Sequence, residues 1–256
     1  MYQKNVSDIE IKQYMASRLS DLSNNVKPRI PLEPAETPKN KPEAKKGGSP
    51  DKPPQGNELS DQVKELIENI YQEPLLSVTK RSARIGLSAY KMNQLKKEII
   101  EKGFARQFSV NLGKKHGGTV TMIQLSDAGY NIIGKRPEKM PENVSDEHWF
   151  WQKAIKRNYQ SMKIEAVIEK SLNGKRADVG IVWNGCEVAI EVELTPKNAL
   201  SNIVRNLEAG FHKVCTCCKN PAVMRRVREQ LRAYKGYEEI KNRVELNLLS
   251  EMELLK

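Results

Sequence analysis

The sequence predicts a two-domain protein of mixed α/β and α+β class, and three observations carry that expectation. Residues 57–140 read as three helical patterns closed by two alternating strands around a glycine-rich turn. Residues 141–256 read as helix, three strands, helix, strand and helix, the order of an α/β layer. A stretch rich in proline and lysine, residues 25–56, stands ahead of both and holds almost none of the large apolar residues that a core requires. With 256 residues the chain can bury two modest cores.

Residues 1–24 carry Ile9, Ile11, Tyr14, Met15, Leu19 and Leu22 at near-helical spacing, which predicts one amphipathic helix over 6–22. Such a helix has no local core; it would dock on a protein partner or self-associate, and a marginal, fraying helix is equally consistent with its length. Residues 25–56 are expected to be a disordered linker.

In the first domain, Val63, Leu66, Ile67 and Ile70 mark a helix that must stop before Pro74. A second helix is expected over 77–85. Gly86-Leu87-Ser88 then supplies a turn, with Ser88 as the N-cap of a third helix running to Lys102. That helix places Met92, Leu95 and Ile99 on one face, while Tyr90, Asn93, Gln94 and Lys97 face outward with Lys91 alongside. These side chains hydrogen-bond bases and phosphates, as a recognition helix in the major groove must. FARQFSVNL and TVTMIQLS predict two strands around GKKHGG, whose tip carries Lys114, Lys115 and His116 within reach of an adjacent phosphate.

In the second domain a helix capped by Ser145 or Asp146 leads into strands MKIEAVIEK, RADVGIVW and CEVAIEVEL, the last two joined by Asn184-Gly185. Pro196 ends the third strand, and a helix over 199–209, a buried strand KVCTCC, a helix PAVMRRVREQLRAY and a short strand with a terminal turn follow. Alternation puts Ala189, Glu191 and Glu193 on one face of the third strand and Val188, Ile190, Val192 and Leu194 on the other. The apolar set is expected to face the core, leaving the carboxylates on the opposite face, where Asp178 can join them.

The net charge of +11 favours polyanionic partners, nucleic acid first. No apolar run reaches the roughly 18 residues of a membrane span, and the N-terminus is polar where a signal peptide needs an apolar stretch, so a cytoplasmic protein without membrane contact is expected. Cys215, Cys217 and Cys218 fall in a predicted buried strand, and no zinc is expected there. His148 beside Trp149, Phe150 and Trp151 reads as helix-entry packing. Arg225, Arg226, Arg228 and Arg232 suit phosphate, and a solvated helix face explains them equally well.

LSDAGYNIIG and the order of elements before it resemble the winged-helix domains of bacterial regulators, which implies a winged helix-turn-helix that binds double-stranded DNA. The order αβββαβ, with Asp178 and then Glu191-Val192-Glu193 one hairpin later, resembles the PD-(D/E)xK (restriction-endonuclease-like) superfamily. Together with the upstream winged helix, the run EVELTPK is most similar to the replication-relaxation proteins of plasmids and other mobile elements. The resemblance covers the chain from the winged helix to its end. It implies that Asp178, Glu191 and Glu193 hold Mg²⁺ or Mn²⁺ in a catalytic site, since hard oxygens suit these ions and the metal activates water for phosphodiester hydrolysis. Glu193 stands where the family's active nucleases carry lysine. Lys197 or Lys213 could supply a displaced cation, and Glu147 and Glu165 are further candidate ligands.

Two classes of function therefore stay open. One is a metal-dependent DNA endonuclease or nickase. The other is a non-cleaving regulator of replication or transcription, or a protein-recruitment adaptor, that keeps the fold as a scaffold. For Asp178, Glu191 and Glu193 the alternative is an exposed polar sheet face, or one salt-bridged by Arg176 and Arg205.

Overall fold

The computed structural model describes residues 59–112, 118–141 and 143–251. The helix expected over 6–22, the linker over 25–56 and the turn bearing Lys114, Lys115 and His116 lie outside the described residues. Residues Gly56–Lys256 form one compact unit of mixed α/β class with a two-stranded and a five-stranded sheet.

The first helices are α1 (Asp61–Gln72), α2 (Val78–Arg84) and α3 (Ala89–Glu101), followed by β1 (Ala105–Asn111), β2 (Thr119–Leu125) and α4 (Asp127–Ile132). Serine starts each of these four helices and the next. Ser60, Ser77, Ser88, Ser126 and Ser145 accept from the backbone N–H three residues on at 3.2–3.4 Å, satisfying one of the donors every helix start leaves open. Val63, Leu66, Ile67 and Ile70 of α1 pack against Met92, Leu95 and Ile99 of α3 and against Ala105, Ile123 and Leu125 of the antiparallel hairpin. Gly129 in α4 permits a close approach, because a Cβ there would stand 2.1 Å from the Phe104 carbonyl oxygen.

The second part comprises α5 (Asp146–Ser161), β3 (Ala166–Leu172), β4 (Lys175–Trp183), β5 (Cys186–Glu193), α6 (Ala199–Glu208), β6 (Lys213–Cys218), α7 (Pro221–Ala233), the short α8 (Tyr237–Ile240) and β7 (Val244–Leu248). The sheet order is β3-β4-β5-β6-β7. Its first three strands are antiparallel, whereas β6 and β7 join in parallel because α6 and α7 carry the chain back across the sheet. One sheet face buries Val179, Ile181, Ile190 and Val192 under Phe150, Trp151, Ala154 and Ile155 of α5. The other buries Ala189 and Val214 under Ile203 and Leu207 of α6 and Val223, Val227 and Leu231 of α7.

The hairpin belongs to both cores. Met122 packs with Phe150 and Trp151 while its neighbour Ile123 packs with α1 and α3, so β2 is buried on both faces. Arg106 adds a two-pronged ion pair to Asp146 at 2.5 and 2.7 Å, and Glu147 accepts from the Asn111 backbone N–H at 2.9 Å and from Lys219 at 2.8 Å.

Arg81 is fully buried and donates to the Asn69 carbonyl and side-chain oxygens at 2.8 and 2.6 Å, to the Glu73 carbonyl at 2.7 Å and to the Leu76 carbonyl at 3.2 Å. It therefore closes the carbonyl end of α1, which Pro74 interrupts. Burial lowers its guanidinium to about 10, with the Glu73 charge acting against that, so it stays charged at neutral pH. Arg81→Met keeps the volume but strands these acceptors, and we expect a loss of about 2–4 kcal/mol in urea denaturation. Arg81→Lys, which keeps the charge without the fork, should recover only part of it.

Candidate functional site

Four carboxylates gather where β3, β4 and β5 pass between α5 and α6. Asp178 on β4 is their hub. One of its oxygens accepts from the Val192 backbone N–H at 2.7 Å. The other receives His148 Nε2 at 3.0 Å and Gln152 Nε2 at 3.1 Å. His148 and Gln152 lie one turn apart on α5, so both reach the same oxygen. The Gln152 amide also donates to Glu169 of β3 at 3.1 Å. Glu169 has a φ of 54°, an uncommon conformation for a non-glycine residue that concentrates backbone strain beside the cluster. Arg176 stands 3.5 Å from the Glu169 carboxylate.

Glu191 and Glu193 project toward α6, whose residues at 202 and 206 lie one turn apart. Asn206 donates to Glu191 at 2.6 Å and Asn202 to Glu193 at 2.9 Å. The Asp178 backbone N–H adds a bond to Glu191 at 3.3 Å, and Arg205 lies 3.9 Å from its second oxygen. Both glutamates are buried, at 2% and 5% exposure. The two glutamates lie on the face opposite Val188, Ile190 and Val192, as the alternation predicts, but the alternative of an exposed polar sheet face is corrected here. The stripes of α6 and α7 must themselves be buried, and they cover that face of the sheet.

Burial dominates the electrostatics. It raises Glu191 well above the ordinary carboxylate range, with the Asp178 charge acting in the same direction and the Asn206 bond against it. Burial likewise raises Glu193 to about 7, against the Asn202 bond and with the Asp178 charge. For His148, burial would lower the imidazole, but the hydrogen bond and charge of Asp178, with Glu193 and Glu169 behind them, leave it raised. Gln152 Oε1 and Asn206 Oδ1 are buried among the described residues without a hydrogen-bond partner, so two neutral oxygens beside the carboxylates are open to a cation or a water. By donor type this set fits Mg²⁺ or Mn²⁺. As the side chains stand, no three His, Cys, Asp or Glu residues among those described converge on a metal position.

Of the residues named from sequence, Asp178, Glu191 and Glu193 come together, while Lys197 is exposed in the loop between β5 and α6. Glu165 is exposed, and Glu147 is bound to Asn111 and Lys219 instead of joining the cluster. His148, read as helix-entry packing, is corrected to a direct partner of Asp178. Gln152, Glu169, Asn202 and Asn206 had not been singled out, although the i, i+4 spacing of polar residues on two otherwise apolar helix faces was a usable signal. Cys215 and Cys217 belong to one core and Cys218 to the other.

On the first part of the molecule, α3 shows Tyr90 at 74% exposure, Asn93, Gln94 and Lys97 exposed, and Lys91 half-buried. Lys97 pairs only loosely with Glu101, at 3.6 Å. Among the described residues no helix is long and apolar enough to cross a membrane. Comparison of the chain with protein-family models, curated proteins and solved structures returned no match.

A carboxyl raised from 4.5 to about 7 on folding binds its proton more tightly in the folded state, so its stabilising contribution is full below about pH 4.5 and is lost as pH rises toward 7. His148, raised above 6.5, contributes in the same direction. The metal-free protein should therefore lose about 3 kcal/mol through Glu193 between pH 4.5 and 8. In Glu193→Gln that part of the pH dependence should vanish, as read from urea midpoints across the range.

Proposed function

We propose that this chain is a DNA-binding protein of a mobile element, acting in its replication, transfer or processing. In this reading residues 57–140 are a winged helix and residues 141–256 a PD-(D/E)xK nuclease-like domain, similar to the replication-relaxation proteins of plasmids. The observation that carries it is α3. Its apolar face is held by the α1 and hairpin core, while Tyr90, Asn93 and Gln94 stand exposed together on the other side. Asparagine and glutamine on a rigid helix suit adenine edges, Lys91 and Lys97 suit phosphates, and Tyr90 offers an apolar surface with a hydroxyl.

The carboxylate cluster is the candidate site for Mg²⁺ or Mn²⁺, held by Asp178 and Glu191 with Glu193 beside them. Bound there, the ion would supply charge neutralisation on a phosphate and activation of water. The chain's own residues hold the site in a neutralised form. Asn202 and Asn206 donate to the two glutamates, Arg205 faces Glu191, and His148 shares Asp178 with Gln152. Glu193 in the lysine position favours the non-cleaving regulator over the nuclease, because a buried carboxyl raised to about 7 offers no cation to a developing phosphate charge.

Binding is tested by fluorescence anisotropy on a duplex selected from a random pool, with a scrambled duplex for comparison. Asn93→Ala and Gln94→Ala should each cost about 1–3 kcal/mol of discrimination between the two. Wild type that binds neither duplex overturns the reading. Cleavage is tested on supercoiled plasmid in Mg²⁺, Mn²⁺ and EDTA. Wild type is expected to leave the plasmid intact and Glu193→Lys to nick it. Wild-type nicking that disappears in EDTA and in Asp178→Asn would assign the nuclease instead.

A further inference from the structure

Helix α7 is fastened to the sheet by Val223, Val227 and Leu231, all buried, against strands β6 and β7. Its opposite side carries Arg225, Arg226, Arg228 and Arg232, all exposed, with Glu229 as the only acidic residue of the helix. Elsewhere in the molecule some exposed helical charges are matched within a turn: Lys64 with Asp61, Lys97 with Glu101, Lys102 with Glu98. Arg225, Arg226, Arg228 and Arg232 make no ion pair among the described residues, and Arg228 only donates to the Met224 sulfur at 3.4 Å. A face kept merely for solvation has no need of four arginines against one glutamate, and like charges held one turn apart cost stability.

The geometry points to a second nucleic-acid surface, in which the arginine ridge of α7 grips the phosphate backbone of duplex DNA without reading its sequence. Arg225, Arg228 and Arg232 recur at i, i+3 and i+7, one stripe along about 10 Å of helix axis, which spans two or three nucleotides of one strand at about 3.4 Å axial rise. All four positions are arginine, whose planar fork matches phosphate oxygens and which sheds water more readily than lysine. The ridge also has a direction. Asn220 caps α7 directly after β6, where Cys218 stands in register with Glu193. The ridge therefore starts beside the end of β6 that is level with Glu193 at the end of β5. The ridge thus supplies register and affinity to the part of the chain that α3 does not reach.

This inference rests on the DNA-binding reading, and one experiment separates the two. Duplex binding of the full chain is followed by anisotropy from 0.05 to 0.4 M salt for wild type, Arg225→Ala/Arg232→Ala, and a charge-matched control, Lys139→Ala/Lys175→Ala. Both control lysines are exposed and lie on other segments, Lys175 at the start of β4 and Lys139 between α4 and α5. The ridge variant should lower the slope of log affinity against log salt by about 2 and weaken binding at 0.1 M salt by about tenfold, with the preference for the selected duplex unchanged. The control should keep a slope near wild type. A ridge variant with the wild-type slope overturns the α7 surface and leaves DNA binding through α3 standing; equal losses in ridge variant and control overturn it as a bulk-charge effect. Wild type that binds no duplex overturns both readings. Wild type that instead binds vesicles rich in anionic lipid, with that binding lost in the ridge variant, reassigns the ridge to a membrane surface and overturns the inference. Unchanged thermal melting of the variant shows that the exposed arginines were not holding the fold.

Discussion

Strand β5 is buried on both faces, and the rest of the carboxylate centre follows from that constraint. Val188, Ile190 and Val192 point into the core under α5, so the alternate residues Glu191 and Glu193 must point the other way. In a sheet with one solvated face they would be ordinary surface charges. Here α6 and α7 need somewhere to bury Ile203, Leu207, Val223 and Val227, and they close over the same face. Two carboxyl groups are thereby removed from water. The fold answers with asparagines at consecutive turns of α6, with Arg205 beside them, and with the Asp178 backbone, and these partners reduce without cancelling the cost of burial.

Asp178 occupies a different environment. It is half-buried, with 17% of its side chain exposed, and satisfied by a backbone N–H, an imidazole and an amide. The centre therefore sets two buried glutamates beside a less buried aspartate within one cluster. The φ of 54° at Glu169 belongs to the same arrangement. It sits opposite Asp178 in the β3–β4 register, between pairs Ile168↔Val179 and Lys170↔Ala177, and its carboxylate bridges Gln152 and Arg176.

The hairpin links this centre to the helical part. Because Met122 and Ile123 enter different cores, displacing β2 would expose apolar surface on both sides. The bonds from Glu147 to Asn111 and Lys219, and from Arg106 to Asp146, fall along the same seam. Helix α3 and helix α5, which carries His148 and Gln152, thus pack against the same hairpin.

The local chemistry of the chain was sufficient for the elements. Serine caps, Pro74, Gly86, Asn184-Gly185 and the two apolar periodicities act within a few residues, and the strands and helices expected from them are present in the described residues. The pairing of Asp178 with Glu191 was legible because a hairpin brings such positions side by side. Short α8 was not foreseen, since a four-residue helix has too little periodicity to register. What only the tertiary structure decided was depth. Whether Glu191 and Glu193 face water depends on where α6 and α7 dock, and the partners of Asp178 come from a helix 26 to 30 residues away in the chain. Arg81 shows the same limit, a surface-type residue made into a buried clasp by the carbonyls that α1 happens to leave open. Sequence patterns report which face of an element is apolar; the desolvation of a polar face is set by what packs over it, and that information is non-local.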